Sequence, residues 1–339
     1  MDIESSNLMD IYFDDKFPLL YEKIEKGKRC CYQYKSKYGE IHHNFIIRPI
    51  PQIINGKQYH DAVTPYGYGG PIIYKLNTGC GLNIHDTKAN LLNGFYDDYK
   101  KYCMDNSIVS EFVRFHPLFD NASDFKYVFD VEYLRNVVGT DIKRYPDFMS
   151  DEYTRSCRKN IRQCLKHGIE VEIKESPDSL EEFKAVYYST MKRNHASDYY
   201  YFDDEYFSNC LKYYKENILL VKAIYDESVI AAGMYFIWKD IVHIHLSGTL
   251  SEYLYLSPAY MLRYAVTKWG VEHQYRIIYH GGGRSNLIDD SLYQFKKQFG
   301  KNTEFKFYIG KKIWNEKIYA ELCKDASVDN KFFPAYRQR

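Results

Sequence analysis

Apolar positions recur along the chain in two periods. A spacing of three and four predicts helices over residues 17–26, 90–104, 152–167, 180–193, 203–216, 258–271 and 289–299. Alternation with a period of two predicts a hairpin of 29–36 and 41–50, turning at Lys37-Tyr38-Gly39-Glu40. It also predicts strands at 111–119, 127–134, 218–225, 229–238, 241–247, 275–280 and 304–309. Each half then reads as helix, antiparallel hairpin, strand, helix and strand, an α/β (α+β) order repeated without visible sequence repetition. Pro146 and the acidic stretch Asp147 to Glu152 precede a new helix. The expected domains are therefore 1–149 and 150–309, each a mixed, mostly antiparallel sheet flanked by helices.

Composition narrows the class. With 46 Lys+Arg against 45 Asp+Glu in 339 residues, the formal charge of +1 argues against coating nucleic acid or an anionic membrane over a broad face. The 36 tyrosines are a large share of the 45% hydrophobic residues, so rings can be buried while phenolic tips line a cleft. The longest apolar run, Val229 to Trp238, is ten residues, where a membrane-spanning helix needs about 20. The N-terminus is acidic and lacks a basic segment followed by an apolar one. Eight scattered cysteines form no CxxC pair, and adjacent Cys30 and Cys31 would point to opposite faces of a strand. A cytoplasmic protein with reduced thiols, no bound metal and no transmembrane segment is expected.

The element order resembles the GNAT (N-acetyltransferase) core, in which two central strands splay apart around the acyl donor. Three segments make the resemblance narrower: TPYGYGGP at 64–71, SCRKNIRQCLKHG at 156–168 and HGGGRSNLIDDSLYQFKKQFG at 280–300. In order and spacing they resemble the Fem-type, GNAT-like acyl- and aminoacyltransferases over roughly residues 28–325. That resemblance implies two tandem GNAT-like domains, with the C-terminal segment from about 310 to 339 folding back onto the first. It implies an acyltransferase whose donor is either acetyl-coenzyme A or aminoacyl-tRNA, with no tightly bound cofactor. The implied acceptor is an amine on a cell-envelope precursor, an amino sugar or a peptidoglycan peptide. The stretch 250–262, where GNAT proteins carry a glycine-rich donor loop, contains no glycine, which disfavours the common mode of coenzyme A binding.

Candidate site residues come from physics and resemblance together. Three glycines and two prolines prevent TPYGYGGP from forming a regular element, so Tyr66, Tyr68, Gly69 and Gly70 either approach a ligand or form a rigid aromatic-packed turn. In the helix after Pro146, Cys157, Ile161, Cys164 and Leu165 mark a buried face. Arg155, Arg158, Lys159, Arg162 and Lys166 line another side, and Arg158 stands for a phosphate grip or a solvated face. Arg193 ends a helix beside Tyr199-Tyr200-Tyr201 and would hold an anion or pair with Asp198 or Asp203. His280-Gly281-Gly282-Gly283 follows a strand, and Gly282 suits close backbone approach.

Leu292, Phe295 and Phe299 form an apolar stripe with Lys296 at its edge and Lys297 nearer solvent. By resemblance, Phe295 and Lys296 occupy the phenylalanine–lysine pair bordering the family's active site, where Lys296 would stabilise a tetrahedral oxyanion; snorkelling is the plain alternative. Val242, Ile244 and Leu246 are expected on one strand face, with His243, His245 and Ser247 on the other. His245 is a candidate general base there, though a structural histidine reads as well. The reading is an acyltransferase in which an amine attacks the donor carbonyl directly. A non-catalytic carbohydrate- or nucleotide-binding protein on the same scaffold is the alternative.

Overall fold

The computed structural model describes residues 10–324 and 332–338, and the backbone of 3–4; the rest of the acidic N-terminus and part of the predicted C-terminal segment lie outside it. In chain order the strands are β1 (Ile3–Glu4), β2 (Lys28–Ser36), β3 (Gly39–Ile54), β4 (Lys57–Val63), β5 (Ile72–Leu76), β6 (Ile108–Arg114), β7 (Asp130–Asp141), β8 (Glu170–Glu175), β9 (Ile218–Tyr225), β10 (Ser228–Trp238), β11 (Ile241–Thr249), β12 (Ile277–Gly282) and β13 (Glu304–Ile313). The helices are α1 (Glu22–Glu25), α2 (Ile84–Asp105), α3 (Asn121–Phe125), α4 (Phe148–Asp151), α5 (Arg155–Lys166), α6 (Glu181–Arg193), α7 (Asp204–Tyr214), α8 (Ala259–Glu272), α9 (Ser291–Lys297) and α10 (Glu316–Leu322). Two compact units result, one of residues 1–134 with 307–339, the other of residues 135–306. The division at 134/135 lies within β7, whereas the chain pattern pointed to the proline-containing loop near 150.

Both units repeat one pattern of pairing. In the first, β2, β3 and β4 are antiparallel neighbours, β4 runs parallel to β6 across the α2 connection, and β13 closes antiparallel to β6. In the second, β9, β10 and β11 are antiparallel, β11 runs parallel to β12 across α8, and β7 closes antiparallel to β12. The duplication expected from element order is thus visible as topology.

Local sequence explains the elements. Asn83 caps α2 by accepting from Asp86 N, and Thr87, Leu91, Phe95, Tyr99 and Cys103 bury one stripe at a spacing of four. The polar first turn of this helix hid its start, which precedes the predicted 90 by six residues. Thr154 caps α5 by accepting from Cys157 N. Cys157, Ile161 and Cys164 are buried under α8, but Leu165 is 50% exposed, because eight residues carry it well off the stripe. The core of the second unit packs α5 and α8 against one sheet face through Tyr153, Leu262, Val266, Tyr235, Val242, Ile278 and Phe299.

Candidate active site

In the second unit the parallel pairing of β11 with β12 covers only Ile241–His243 against Ile277–Tyr279. β11 then continues to Thr249 beside β10, while β12 continues to Gly282 beside β7, so the two strands part. A register shift opposite Met234 and Phe236 alters the faces of β11. His243 pairs with Phe236, but Ser247 pairs with Gly233 and interacts with Tyr235 on the α8 side. The predicted single polar face of His243, His245 and Ser247 is therefore broken by a bulge, which adds a residue to one strand and re-aims the side chains beyond it.

α9 supplies the most distinctive side chain. Asp290 caps it, accepting from Tyr293 N at 2.9 Å, and also takes Arg284 N at 3.0 Å, Ser285 N at 2.9 Å and Ser285 Oγ at 3.0 Å. A Cβ at Gly283 would lie 2.4 Å from Asp290 Oδ1, so only glycine lets this loop close. One turn on, Lys296 Nζ donates to the Gly282 carbonyl at 2.7 Å. Burial, then the neighbouring positive charge of Arg263, pulls its ammonium down to about 7. Arg135 Nη1 donates to the next carbonyl, Gly283 O, at 2.6 Å. Two cations thus hold the Gly282–Gly283 backbone. Lys297 points away and pairs with Glu304 at 3.3 Å.

Beneath this lies Arg263 of α8, 4% exposed, its guanidinium 4.7 Å from the Phe295 ring centre and 5.6 Å from that of Phe299. His280, on β12, shares a hydrogen bond of 2.8 Å between Nε2 and Thr140 Oγ1, and that hydroxyl donates to Phe299 O at 2.6 Å. Thr140 therefore accepts from His280, which assigns the proton to Nε2 and leaves Nδ1 as a bare acceptor. Burial and the charges of Arg263 and Lys296 hold this ring neutral. Sequence reasoning missed Arg263. The signal was one cation on the apolar stripe of AYMLRYAVTKWGVE, in line with Val266, Thr267 and Gly270.

The predicted residues separate into groups. Lys296, Phe295 and Gly282 meet at α9 and the end of β12. His245 lies on the side covered by α7, its Nε2 2.6 Å from Tyr206 Oη and its ring packed on Phe236. Burial there pushes its pKa down to about 3, a low proton affinity for a general base. Arg193 donates to Thr249 O at 2.6 Å and Ser251 Oγ at 3.3 Å. Close by in the chain, a hollow of about 610 Å³ is lined by Tyr188, Lys192, Tyr201 and Asp203. Arg158 Nη1 donates to the carbonyls of Met149, at 2.9 Å, and Tyr153, fastening α5 to the chain before it.

In the first unit, Tyr66, Tyr68, Gly69 and Gly70 form one pinned loop. Asn121 Nδ2 holds Gly69 O at 2.8 Å and Pro71 O at 3.0 Å. Gly70 has φ +82°, and a Cβ there would meet Val113 at 2.6 Å. Tyr68 packs edge-on against Tyr12 and Phe307, and Tyr66 lies 6.2 Å from Tyr21.

Comparison with known proteins fits this geometry. Residues 152–297 match the acetyltransferase (GNAT) domain family. A stretch of 190 residues is 26% identical to the UDP-N-acetylmuramoylpentapeptide-lysine N(6)-alanyltransferase of Weissella viridescens, covering 55% of each chain. Both matches are likenesses, and the family match lies within the second unit, which carries α8, β12 and α9. The chain spans about half the length of that curated relative in the match. Among solved structures, FemX superposes with a TM-score of 0.68 at 12% identity, over 95% of this chain and 99% of its own. The C-terminal domain of a putative lysylphosphatidylglycerol synthetase from Agrobacterium fabrum gives 0.53 at 12% identity, over 95% and 93%. In this chain the Phe295–Lys296 pair stands on α9, against the end of a splayed strand. Among the described residues, no helix is long and apolar enough to cross a membrane.

Proposed function

We propose that this chain is a Fem-type aminoacyltransferase that moves an amino acid from an aminoacyl ester, carried by tRNA, to a primary amine of a peptidoglycan precursor. The observation that carries the reading is Lys296, a cation lodged against the Gly282 carbonyl where β11 and β12 part. In the proposed reaction the acceptor amine attacks the ester carbonyl. The C–N bond forms, the C–O bond to the ribose breaks, and the amine proton leaves with the released hydroxyl. Protonated Lys296 stabilises the oxyanion of the tetrahedral intermediate. The weakly basic His245 is given no proton to carry. The name of the alanyltransferase relative supports an aminoacyl group and a peptidoglycan-precursor amine, and the missing glycine loop speaks against acetyl-coenzyme A as donor.

The test supplies purified protein with a mixed aminoacyl-tRNA pool or acetyl-coenzyme A, each with a nucleotide-linked peptidoglycan precursor. Expected is acceptor-dependent transfer from the tRNA pool alone, reduced about 100-fold or more by Lys296→Ala. Transfer from the coenzyme alone would reassign the donor and defeat the proposal. Saturable precursor binding without turnover from either donor would instead favour the non-catalytic binding protein.

A further inference from the structure

The sheet face that receives α8 carries an unusual collection of buried polar groups. Arg263 is 4% exposed, its Nε has no hydrogen-bond partner, and its guanidinium donates to no described residue. The Tyr235 hydroxyl and Ser247 Oγ, which the β11 bulge turns to the same side, also lack hydrogen bonds of good geometry. So does His280 Nδ1 on the opposing strand. Burying an unpaired cation is strongly unfavourable, and facing aromatic rings offset only part of that cost. Arg263 has such rings in Phe295 and Phe299, but it has no carboxylate: the groups felt by its charge are Tyr235, Tyr153, Cys157 and Tyr260, together with Lys296 and His280. Two hydroxyls, one imidazole acceptor and two cations therefore surround a place where negative charge is missing.

We infer that Arg263, with Tyr235 and Ser247, forms a binding site for an anionic oxygen group, a phosphate or a carboxylate, of a ligand entering between β11 and β12. The guanidinium is planar, permanently charged and able to donate two parallel hydrogen bonds to such a group, and Tyr235 and Ser247 add neutral donors. Its ring partner Phe295 directly precedes Lys296, so an anion held by Arg263 lies next to the lysine and raises the share of it that is protonated. The site rests on the transferase reading only for naming the ligand as a substrate; anion binding itself is measured without turnover.

The experiment uses the full chain without donor or acceptor. Inorganic pyrophosphate and acetate are titrated separately by calorimetry against wild type, Arg263→Met and Arg263→Lys, and the thermal midpoint of each protein is recorded. Saturable binding of at least one anion is expected, weakened tenfold or more in Arg263→Met and less in Arg263→Lys. Pyrophosphate alone would identify a phosphate as the recognised group, acetate alone a carboxylate. Arg263→Met keeps most of the buried volume and removes the unpaired charge, so its thermal midpoint is expected to match or exceed that of wild type. Anion binding unchanged by Arg263→Met would overturn the inference. A lowered midpoint in Arg263→Met, with no anion bound by wild type or by Arg263→Lys, would make Arg263 a structural cation stacked between rings. Either result leaves the separate Lys296→Ala transfer assay to decide the transferase reading.

Discussion

Lys296 combines an ordinary residue type with an extraordinary environment, and its pH behaviour derives from that. Its folded pKa of about 7 lies well below the ordinary lysine value of 10.5. Between those values the unfolded chain holds a proton that the folded chain has released, so stability rises with pH across that window. Below pH 7 both states are protonated and the folded one bears the whole penalty of burying the charge. Lys296→Met should therefore be more stable than wild type at pH 6, and the gap should shrink as pH climbs toward 10, as followed by urea unfolding. If Lys296 acts as proposed, transfer activity should run the other way, declining through about pH 7 on the alkaline side as the ammonium is lost. Lys296→Arg should be slower but flat there, because guanidinium stays charged. A rate that increases with pH while tracking the Lys296 titration would make the lysine a base. The position of Lys296 at the edge of the Leu292, Phe295, Phe299 stripe was legible in the sequence. Its depressed pKa was not, because Arg263 is 33 positions earlier and meets it only through the fold.

Elements with a clean period were legible; those shaped by their neighbours were not. The β9–β10 hairpin and α6 lie within a residue or so of expectation. β4 and β5 escaped notice because their polar residues blur the alternation, and they are defined by pairing with β3. The β11 bulge was equally hidden, since Val242 to Ser247 alternates cleanly while the register shift comes from β10. α9 shows how a short element is held by its cap. Four donors converge on Asp290 and bring its carboxyl down to about 2, against an ordinary aspartate value of 3.8. That stabilisation is complete above pH 4 and is lost as pH falls through about 2. Asp290→Ala should lower stability by about 1 kcal/mol at pH 7, and the deficit should vanish near pH 2. It should also loosen the 283–290 loop, read as faster amide hydrogen exchange of Arg284 and Ser285. Unchanged exchange at those two amides would remove Asp290 as the organiser of the loop.

At the scale of the molecule, the first unit is discontinuous in sequence, and its integrity depends on chain ends brought together by buried polar contacts. Asp61, 1% exposed in its side chain, accepts from Arg48 Nε at 2.7 Å and from Arg337 Nε at 2.7 Å. Tyr336 Oη lies 2.7 Å from Ser110 Oγ and 3.3 Å from Asp61, while Ile318 and Leu322 of α10 pack with Ile50 and Val109. Neither Asp61 in a short polar strand nor Arg337 announces this junction, because a salt bridge across 276 positions has no local period. Asp61→Asn leaves two guanidinium groups facing a neutral amide, and removing one member of a buried ionic group typically costs about 3 kcal/mol. The three tryptophans allow this loss to be located. Trp314 belongs to the first unit, whereas Trp238 and Trp269 belong to the second. With fluorotryptophan incorporated, Asp61→Asn should shift the urea midpoint of the Trp314 resonance downward by more than those of Trp238 and Trp269. Equal shifts of all three would mean that the units unfold as one cooperative body. No shift at Trp314 would mean that the Asp61 junction contributes nothing to the first unit, leaving the apolar contacts of Ile318 and Leu322 to retain the C-terminal segment.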